Sequence, residues 1–264
     1  MKIGLSSYTW PWAVGRDGYD PKAPLDTAAL LKKTIGYGIS ILQIADIPSL
    51  HRMSDAEQEK IALLADENQI TLEVGTRGIY PEHLMRYLEI ARRLKSCIVR
   101  SITQKIDDEA ALWIREVLPE YEKAGVSIAL ENHDEHGTCE LAAFLDRIGS
   151  PFVGVCLDTV NSFAALESPE SVVKTLAPYT LNLHVKDFEV VRLGHELGFS
   201  IEGRPAGKGR LDIEWVAGYL KEKGKDPNAI LELWTPFTGN LEKTIQLEEE
   251  WARKSIDYLN TVIS

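Results

Sequence analysis

The chain has 264 residues, of which 44% are hydrophobic, so it is long enough to bury a sizeable core in one large α/β domain. Its 40 Asp and Glu residues outnumber 29 Lys and Arg residues, and the formal net charge of -11 argues against nucleic acid or an acidic membrane surface as a partner. No apolar run approaches the ~18 residues of a membrane helix, and the opening MKIGLSSYTWPW lacks the apolar core of a secretion signal. Three widely spaced cysteines are typical of reduced thiols, so we predict a cytoplasmic location.

Short runs rich in β-branched residues alternate with longer amphipathic runs along the chain. Eight runs have the composition of strands, and they fall at Lys2–Trp10, Ser40–Asp46, Thr71–Thr76, Cys97–Ile102, Ser127–Asn132, Val153–Thr159, Thr180–Asp187 and Ala229–Thr235. Helical periodicity between them is clearest at Asp55–Asn68, Pro81–Leu94, Asp107–Lys123 and Leu241–Val262. In the last of these helices, the run Glu248–Glu250 is interpreted as a solvated face.

This alternation, without a Gly/Ser-rich break, predicts parallel strands joined by crossover helices. At this length, a single α/β domain, a closed (β/α)₈ TIM barrel over residues 1–264, is the favoured architecture. An open doubly wound sheet is the alternative, which is disfavoured because no GxGxxG sequence follows the first strand.

Two connections, Pro11–Pro24 and Phe188–Arg210, are long enough to be binding loops. In a barrel, both follow the carboxyl end of a strand and lie on the active-site face. The first contains three prolines and is too irregular for a helix. The second includes GRPAGKGR, which either cradles an anion around Gly207 and Gly209 or turns into a helix N-cap at Asp212.

Ionisable side chains stand at the ends of four predicted strands. SIALENHD contains Glu131, VGVCLDTVN contains Asp158, LNLHVKD contains His184 and AILELWT contains Glu232. Three carboxylates and one imidazole at the same end of a barrel make an oxygen-rich site for a divalent cation. Each residue alone has an alternative role as a helix N-cap or a loop hydrogen bond. As a set, they would repel one another unless a cation or shared protons joined them.

Side chains two residues apart on a strand share a side, which extends the predicted site. The residues that share a side with a predicted ligand are Lys186 with His184, His133 with Glu131, and Trp234 with Glu232. We predict that Lys186 and His133 polarise a substrate and that Trp234 forms a wall of its site. Asn132 and Asp187 then face the helices, where structural hydrogen bonds are expected.

The second long connection also carries the cations Arg192 and Arg204. We predict that one of them holds a carboxylate or phosphate of the substrate. The alternative is that these arginines serve solubility or a contact between subunits of a homo-oligomer.

The motifs LENHD, CLDTVN, LHVKDF and LELW, in this order and spacing, resemble the xylose-isomerase-like barrels. That superfamily includes sugar isomerases, ketose 3-epimerases, inosose dehydratases and abasic-site endonucleases. The resemblance implies that Glu131, Asp158, His184 and Glu232 bind one Mn²⁺, Mg²⁺ or Co²⁺. In its epimerases, the residues that match Glu131 and Glu232 also exchange the substrate proton from opposite faces. We predict that Glu131 or Glu232 is the proton carrier here and that Lys186 is a further catalytic residue.

The sequence departs from two branches of this superfamily. The epimerases carry a glutamate, a histidine and an arginine where this chain has Gly137, Asn161 and Val190. The abasic-site endonucleases need three zinc ions and many histidine ligands, but this acidic chain has only six histidines. Ordinary ketose epimerisation and DNA cleavage are therefore both disfavoured.

A longer set of segments, CLDTVNSFAALE, LAPYTLNLHVKDF, EGRPAGKGRLD and ILELWTP, is similar to the decarboxylases of 3-oxo-isoapionate. This resemblance implies a metal-dependent carboxy-lyase of carbohydrate catabolism that acts on a small oxo sugar acid or ketose through a metal-bound enediolate. Decarboxylation needs an electron sink and one protonating acid rather than two opposed bases, which agrees with the missing epimerase residues. A sugar isomerase or ketose 3-epimerase is the alternative, and a non-catalytic sugar-binding barrel is the third possibility.

Overall fold

The computed structural model describes residues 1–46, 48–134 and 136–263, in which eight parallel strands close into a barrel. The barrel strands are β1 (Ile3–Ser6), β2 (Ile41–Ile44), β3 (Thr71–Arg77), β4 (Ile98–Ile102), β5 (Ser127–Glu131), β6 (Val153–Asp158), β7 (Thr180–Val185) and β10 (Asn228–Leu231). Neighbours pair in chain order from β1 to β7, and β10 closes the ring between β7 and β1. All eight predicted strands are present, so the TIM barrel class is confirmed and the open sheet is excluded.

The described residues also form nine α-helices. They are α1 (Pro11–Val14), α2 (Thr27–Gly36), α3 (Asp55–Glu67), α4 (Pro81–Leu94), α5 (Asp108–Ala124), α6 (Thr138–Ile148), α7 (Pro169–Leu176), α8 (Ile213–Glu222) and α9 (Leu241–Val262). The four helices predicted from periodicity are confirmed to within a residue at each end. In α4, for example, Pro81 occupies the first turn, and the buried Leu84, Leu88 and Ala91 recur at helical spacing. None of these helices is long and apolar enough to cross a membrane.

The main apolar core is continuous between the barrel and its helices, and a smaller one lies inside the barrel. The inner cluster consists of Ile98, Ala129 and Cys156. Two residues farther along the same strands, and therefore on the same side, buried polar side chains take their place. These are Arg100, Glu131 and Asp158. The interior thus changes from apolar to ionisable toward the carboxyl ends of the strands.

The run Glu248–Glu250 does not form the predicted solvated face, so that interpretation is wrong. Glu248 is fully buried and accepts hydrogen bonds from the backbone N–H groups of Trp12 (2.9 Å) and Ala13 (3.0 Å). Glu249 is half-buried, and only the third glutamate is exposed. The run differs from a solvated face because α9 packs against α1, whose first N–H groups need an acceptor.

Both long connections contain regular structure that was not predicted. Within Pro11–Pro24, residues Pro11–Val14 form the short helix α1, which begins at a proline in its first turn. Within Phe188–Arg210, an antiparallel hairpin is formed by β8 (Asp187–Arg192) and β9 (Phe199–Arg204). The expectation of an irregular first connection is therefore wrong, and the second is largely a β-hairpin.

The segment GRPAGKGR forms a turn that leads into α8. Asp187 accepts hydrogen bonds from the backbone N–H groups of Gly209 (2.8 Å) and Leu211 (3.0 Å). Asp212 caps the helix by accepting from the N–H of Trp215 at 2.9 Å. Because a protein carboxylate already binds these N–H groups, the turn and N-cap are observed rather than an anion cradle.

Candidate metal centre and adjoining cavity

The four residues predicted as metal ligands meet at the carboxyl ends of β5, β6, β7 and β10. Asp158 and His184 are register partners across β6 and β7. Glu232 directly follows β10, and its N–H donates to the carbonyl of Val185 at 3.1 Å. The strand register therefore brings residues that are far apart in the chain to one point. All four side chains are buried.

The Nδ1 atom of His184 is where the carboxylates converge. It lies 3.4 Å from Glu232 Oε1, 3.5 Å from Glu131 Oε2 and 3.8 Å from Asp158 Oδ2. Within the described residues, this buried nitrogen has no hydrogen-bond partner. Two donor atoms that share a divalent ion at about 2.1 Å lie roughly 3.0 to 3.8 Å apart, so the observed spacing fits one common ion.

Asp158 is oriented by the chain that follows it. Its Oδ1 accepts from the N–H groups of Val160 (2.9 Å) and Asn161 (2.8 Å), which turns Oδ2 toward the cluster. Oδ2 has no hydrogen bond of ordinary geometry in the described residues, although the Nζ of Lys186 is 2.8 Å away as an ion pair. We regard this contact as charge pairing that leaves a lone pair available to a cation.

Cys156 is a further donor near the cluster, since its Sγ groups with Glu131 and His184 in a possible metal-holding set. Burial raises the pKa of the Cys156 thiol well above its usual value. The thiol is therefore neutral, and a hard oxygen-preferring ion gains little from it. The oxygen and imidazole set of Asp158, His184 and Glu232 fits such an ion better.

Arg100, which the sequence interpretation missed, is buried inside the cluster. Its Nε forms an ion pair with Glu131, and its Nη1 donates to Asp46 Oδ1 at 3.2 Å and to the carbonyl of Thr76 at 3.3 Å. The available signal was a charged residue within the apolar strand IVRSI, since such a residue needs a buried partner.

Lys186 is the second buried cation, on the side of β7 predicted for it. Its Nζ lies 2.8 Å from Asp158 Oδ2 and 2.9 Å from Glu232 Oε2, and 5.7 Å from the ring centroid of Trp234. Burial opposes its charge, but the carboxylates of Asp158 and Glu232 outweigh this effect and raise the pKa of Lys186. The ammonium therefore stays charged beside the cluster.

The two glutamates of the cluster are held in their ionised form. Burial alone would raise the pKa of Glu131, but the Arg100 guanidinium leads the charges that lower it instead. Burial also opposes ionisation of Glu232, yet nearby positive charge, including that of Lys186 and Arg100, lowers the pKa of Glu232. Three carboxylates thus face two permanent cations, and the remaining negative charge favours a bound metal ion.

A cavity of about 430 Å³ opens onto the cluster. Glu131, Lys186 and Glu232 line its base, and Trp234 forms part of its wall. Three arginines also line it, namely Arg16, Arg77 and Arg100. The cavity can therefore present positive charge to an acidic substrate next to the cluster.

The residues predicted to bind substrate divide into two groups. His133 lines the cavity, with its Nδ1 3.2 Å from Asp134 Oδ2, and also lines an adjoining cavity of about 580 Å³. Arg192 and Arg204 are absent from the described lining of the first cavity. Arg192 instead lies over the Phe199 ring at 4.4 Å, and Arg204 pairs with a neighbouring glutamate. The hairpin therefore keeps both arginines occupied within itself.

Two asparagines near the cluster support its carboxylates. Asn132 donates to the carbonyl of Asp158 (2.9 Å) and accepts from its N–H (2.7 Å), which confirms the structural role predicted for it. Asn161 donates to Glu131 Oε1 at 2.7 Å, and its carbonyl lies 3.4 Å from the Nζ of Lys186. Asn161, one of the departures from the epimerase pattern, thus links a predicted ligand to a cation.

Comparisons with known proteins agree with this geometry. The profile described as the xylose isomerase-like TIM barrel matches residues 9–262. A protein from Pectobacterium atrosepticum named 3-oxo-isoapionate decarboxylase is 38% identical over 266 residues, which cover 99% of this chain and 96% of the relative.

Two solved structures show the same fold. D-psicose 3-epimerase from Clostridium cellulolyticum H10, crystallised with D-tagatose, has a TM-score of 0.74 at 19% identity, with 100% of each chain covered. A xylose isomerase-like TIM barrel protein from Mycobacterium smegmatis, in complex with magnesium, has a TM-score of 0.64 at 14% identity, covering 98% of this chain and 97% of that one.

Proposed function

The chain belongs to the xylose isomerase-like TIM barrel family, and from this premise we propose that it is a divalent-metal-dependent decarboxylase of a small 3-oxo sugar acid. The observation that carries the proposal is the convergence of three carboxylates on His184 Nδ1 beside two buried cations. The relative named 3-oxo-isoapionate decarboxylase, similar over nearly its whole length, supports an oxo acid of that kind as the substrate.

In this proposal, Glu131, Asp158, His184 and Glu232 hold one Mn²⁺, Mg²⁺ or Co²⁺. When bound, such an ion supplies Lewis-acid chemistry by stabilising negative charge on a substrate oxygen. The mixed oxygen and nitrogen donors suit all three ions. Arg100 and Asn161 keep Glu131 ionised and oriented for this task.

The cations that line the cavity bind the carboxylate of the substrate and stabilise the negative charge that develops during the reaction. Arg77 and Arg100 face the cavity and orient the carboxylate. When the bond to the carboxyl carbon breaks, CO₂ leaves and the electron pair moves into the neighbouring oxo group. Lys186, which stays charged in its buried position, stabilises that oxygen. A proton from solvent, relayed through the carboxylate of Glu131 or Glu232, then adds to the carbon that lost CO₂.

A sugar isomerase or ketose 3-epimerase is the second candidate. Two glutamates flank His184, as a pair of proton carriers would need, and the fold is like that of D-psicose 3-epimerase. Against it, this chain has Gly137, Asn161 and Val190 where the epimerases carry a glutamate, a histidine and an arginine. Decarboxylation needs an electron sink and one protonating acid rather than two opposed bases, and it is therefore our first candidate.

One experiment in heavy water separates these functions. The protein is loaded with Mn²⁺, Mg²⁺ or Co²⁺ and mixed with 3-oxo-isoapionate or with a panel of ketoses. Release of CO₂ from the oxo acid, with one solvent deuterium in the product, supports the decarboxylase. Solvent deuterium in recovered ketose supports the second candidate. Sugar binding without turnover across both sets of substrates would identify a non-catalytic barrel.

The His184→Ala variant tests the metal centre itself. We expect a folded protein that has lost metal and decarboxylation, because the atom on which the carboxylates converge is gone. Elemental analysis and circular dichroism measure the two properties separately. His195→Ala, at an exposed hairpin position, is the matched control and should keep the metal content of the unmodified protein. Equal metal content in both variants would refute the ligand assignment.

A further inference from the structure

A polar layer lies inside the barrel beneath the predicted ligands. It consists of Gln43 on β2, Glu73 on β3, Asn182 on β7 and Asn228 on β10. Barrel interiors are usually filled by bulky branched apolar side chains, and a buried carboxylate without a cation is costly. Glu73 is 2% exposed and its hydrogen-bond partners are amides. The proposed reaction uses none of these residues, so the layer needs its own explanation.

Hydrogen bonds fix the orientation of the Gln43 amide. Its Nε2 donates to Glu73 Oε2 and to Asn182 Oδ1, each at 3.0 Å. Asn182 in turn donates to Glu73 Oε2 at 2.9 Å, and Asn228 donates to Glu73 Oε1 at 2.7 Å. Glu73 therefore accepts from three amides. If the Gln43 amide were reversed, its oxygen would face two acceptors, so its NH₂ group must point down toward this carboxylate.

The other end of Gln43 contacts His184, one of the predicted ligands. Gln43 Oε1 lies 2.7 Å from His184 Nε2. Because an amide oxygen can only accept, Nε2 must carry a proton. In the neutral ring, Nδ1 then has the free lone pair, and Nδ1 is the atom on which the three carboxylates converge.

We propose that Gln43 and Glu73 are positioning residues, which hold His184 in the Nε2–H form and so determine the affinity of the centre for a divalent ion. Glu73 orients the Gln43 amide, Gln43 accepts the proton of Nε2, and Nδ1 is left to bind the cation. This inference rests on the proposed function only in that the four-residue cluster binds a metal. It does not depend on which sugar is the substrate.

Variants of Gln43 separate this role from simple filling of the barrel. Gln43→Met keeps the length of the side chain but removes the acceptor, so Mn²⁺ should bind about 10- to 100-fold more weakly in a calorimetric titration. Gln43→Glu should largely restore the affinity. Its carboxyl group can share a proton with Glu73 while its other oxygen still accepts from His184.

Asn228→Ala is the matched control, because it removes a hydrogen bond to Glu73 without touching Gln43. We expect its Mn²⁺ affinity to stay within about twofold of the unmodified protein. A purely structural layer predicts lower thermal stability in both variants with unchanged Mn²⁺ affinity. Equal Mn²⁺ affinity in Gln43→Met and unmodified protein, or equal losses in Gln43→Met and Asn228→Ala, would overturn the proposal.

A measurement on the unmodified full chain keeps the proposal testable if the Gln43 variants do not fold. Histidine labelled with ¹⁵N distinguishes a protonated ring nitrogen from one with a free lone pair, and we expect His184 Nε2 to be protonated. A free lone pair on Nε2 would overturn the role of Gln43. If the unmodified protein binds no divalent ion, the proposed function fails, and that outcome is distinct from the outcome of this measurement.

Discussion

Both long connections were predicted to be binding loops because of their length, but only the first lines the described cavity. Pro11–Pro24 folds inward and contributes Pro11, Trp12 and Arg16 to the cavity. In the described structure, Phe188–Arg210 contributes no residue to that lining and forms a hairpin instead. Length and charge identify the face on which a connection lies. They do not indicate whether it turns toward the barrel axis.

Whether a long connection turns toward the barrel axis is decided by its hydrogen-bond partners elsewhere in the chain. The first connection is fixed by Glu248, and the indole N–H of Trp12 donates to the carbonyl of Thr235 at 2.7 Å. The hairpin satisfies its backbone within its own ladder, so it needs no partner at the cavity. The base of the hairpin packs against the backbone of Trp234, a residue of the cavity wall, so closely that a Cβ on Gly203 would overlap it.

We expect Arg100, inside the barrel, to contribute more to kcat/KM than Arg192 or Arg204 of the hairpin. Arg100→Met removes a buried guanidinium that lines the cavity and pairs with Glu131. We expect kcat/KM for the oxo acid to fall by about 10²- to 10³-fold, as when one preorganised donor is lost. Steady-state kinetics at saturating Mn²⁺ measure the effect, and a Mn²⁺ titration shows how much of it comes from a weakened metal centre.

Arg100→Lys sharpens this test because it keeps the charge but loses the planar fork. We expect it to recover only part of the lost kcat/KM. If Arg100→Met decarboxylates the oxo acid at the unmodified rate, the substrate acid group binds elsewhere, and the hairpin arginines return as candidates.

Much of the fold and part of the site are readable from local sequence patterns. The eight strands are apolar runs with turn residues beside them, and parallel strands in a barrel must bring their carboxyl ends together. Glu131, Asp158, His184 and Glu232 stand at those ends, which is why their meeting was predictable. Their role as ligands remains a prediction.

The residues that were missed stand within strands rather than at their ends. Gln43, Glu73 and Arg100 interrupt apolar runs, and the same two-residue alternation that identified Lys186 would have placed them inside the barrel. Their partners could not be read from the sequence. Gln43 contacts a residue 141 positions away, and such pairings follow only from the closed register.

The buried anchor of the first connection gives the next prediction. Glu248→Ala leaves the N–H groups of Trp12 and Ala13 without their acceptor. We expect the free energy of unfolding to fall by roughly 2 to 4 kcal/mol, since unpaired buried donors are costly. Urea denaturation measures it. Glu250→Ala, two residues along the same helix and exposed, should change stability by less than about 0.5 kcal/mol. Equal losses would mean that Glu248 does not anchor the connection.

Glu248 should also make the free energy of unfolding depend on pH. Burial, opposed by the Trp12 and Ala13 N–H groups, raises the pKa of Glu248 from 4.5 to about 8 in the folded protein. The folded state therefore binds this proton more tightly than the unfolded chain. The stabilisation is complete below pH 4.5 and is lost as the pH rises toward about 8. At about 1.36 kcal/mol for each pKa unit, this shift corresponds to a loss of up to about 5 kcal/mol.

Comparison with Glu248→Gln isolates this effect from all other titrating groups. The amide oxygen can accept from only one of these N–H groups, which lowers the stability at every pH, but the side chain does not ionise. The unfolding free energy of the variant should therefore lack the decline between pH 4.5 and about 8. Parallel pH profiles for the variant and the unmodified protein would assign the decline to another group.

We expect the smallest effect on KM and on stability from changes to the hairpin arginines. Changing Arg192 and Arg204 together to methionine removes a guanidinium that lies over Phe199 and a half-buried ion pair. Neither of these borders the described cavity. Such surface changes typically alter stability by within about 0.5 kcal/mol, and we expect KM for the oxo acid to change by less than about twofold. Steady-state kinetics with Arg100→Met measured alongside give the contrast directly. A tenfold or larger rise in KM in the hairpin variant would mean that the hairpin reaches over the cavity when substrate is bound, because in the present geometry its arginines contact only their own strands and turn.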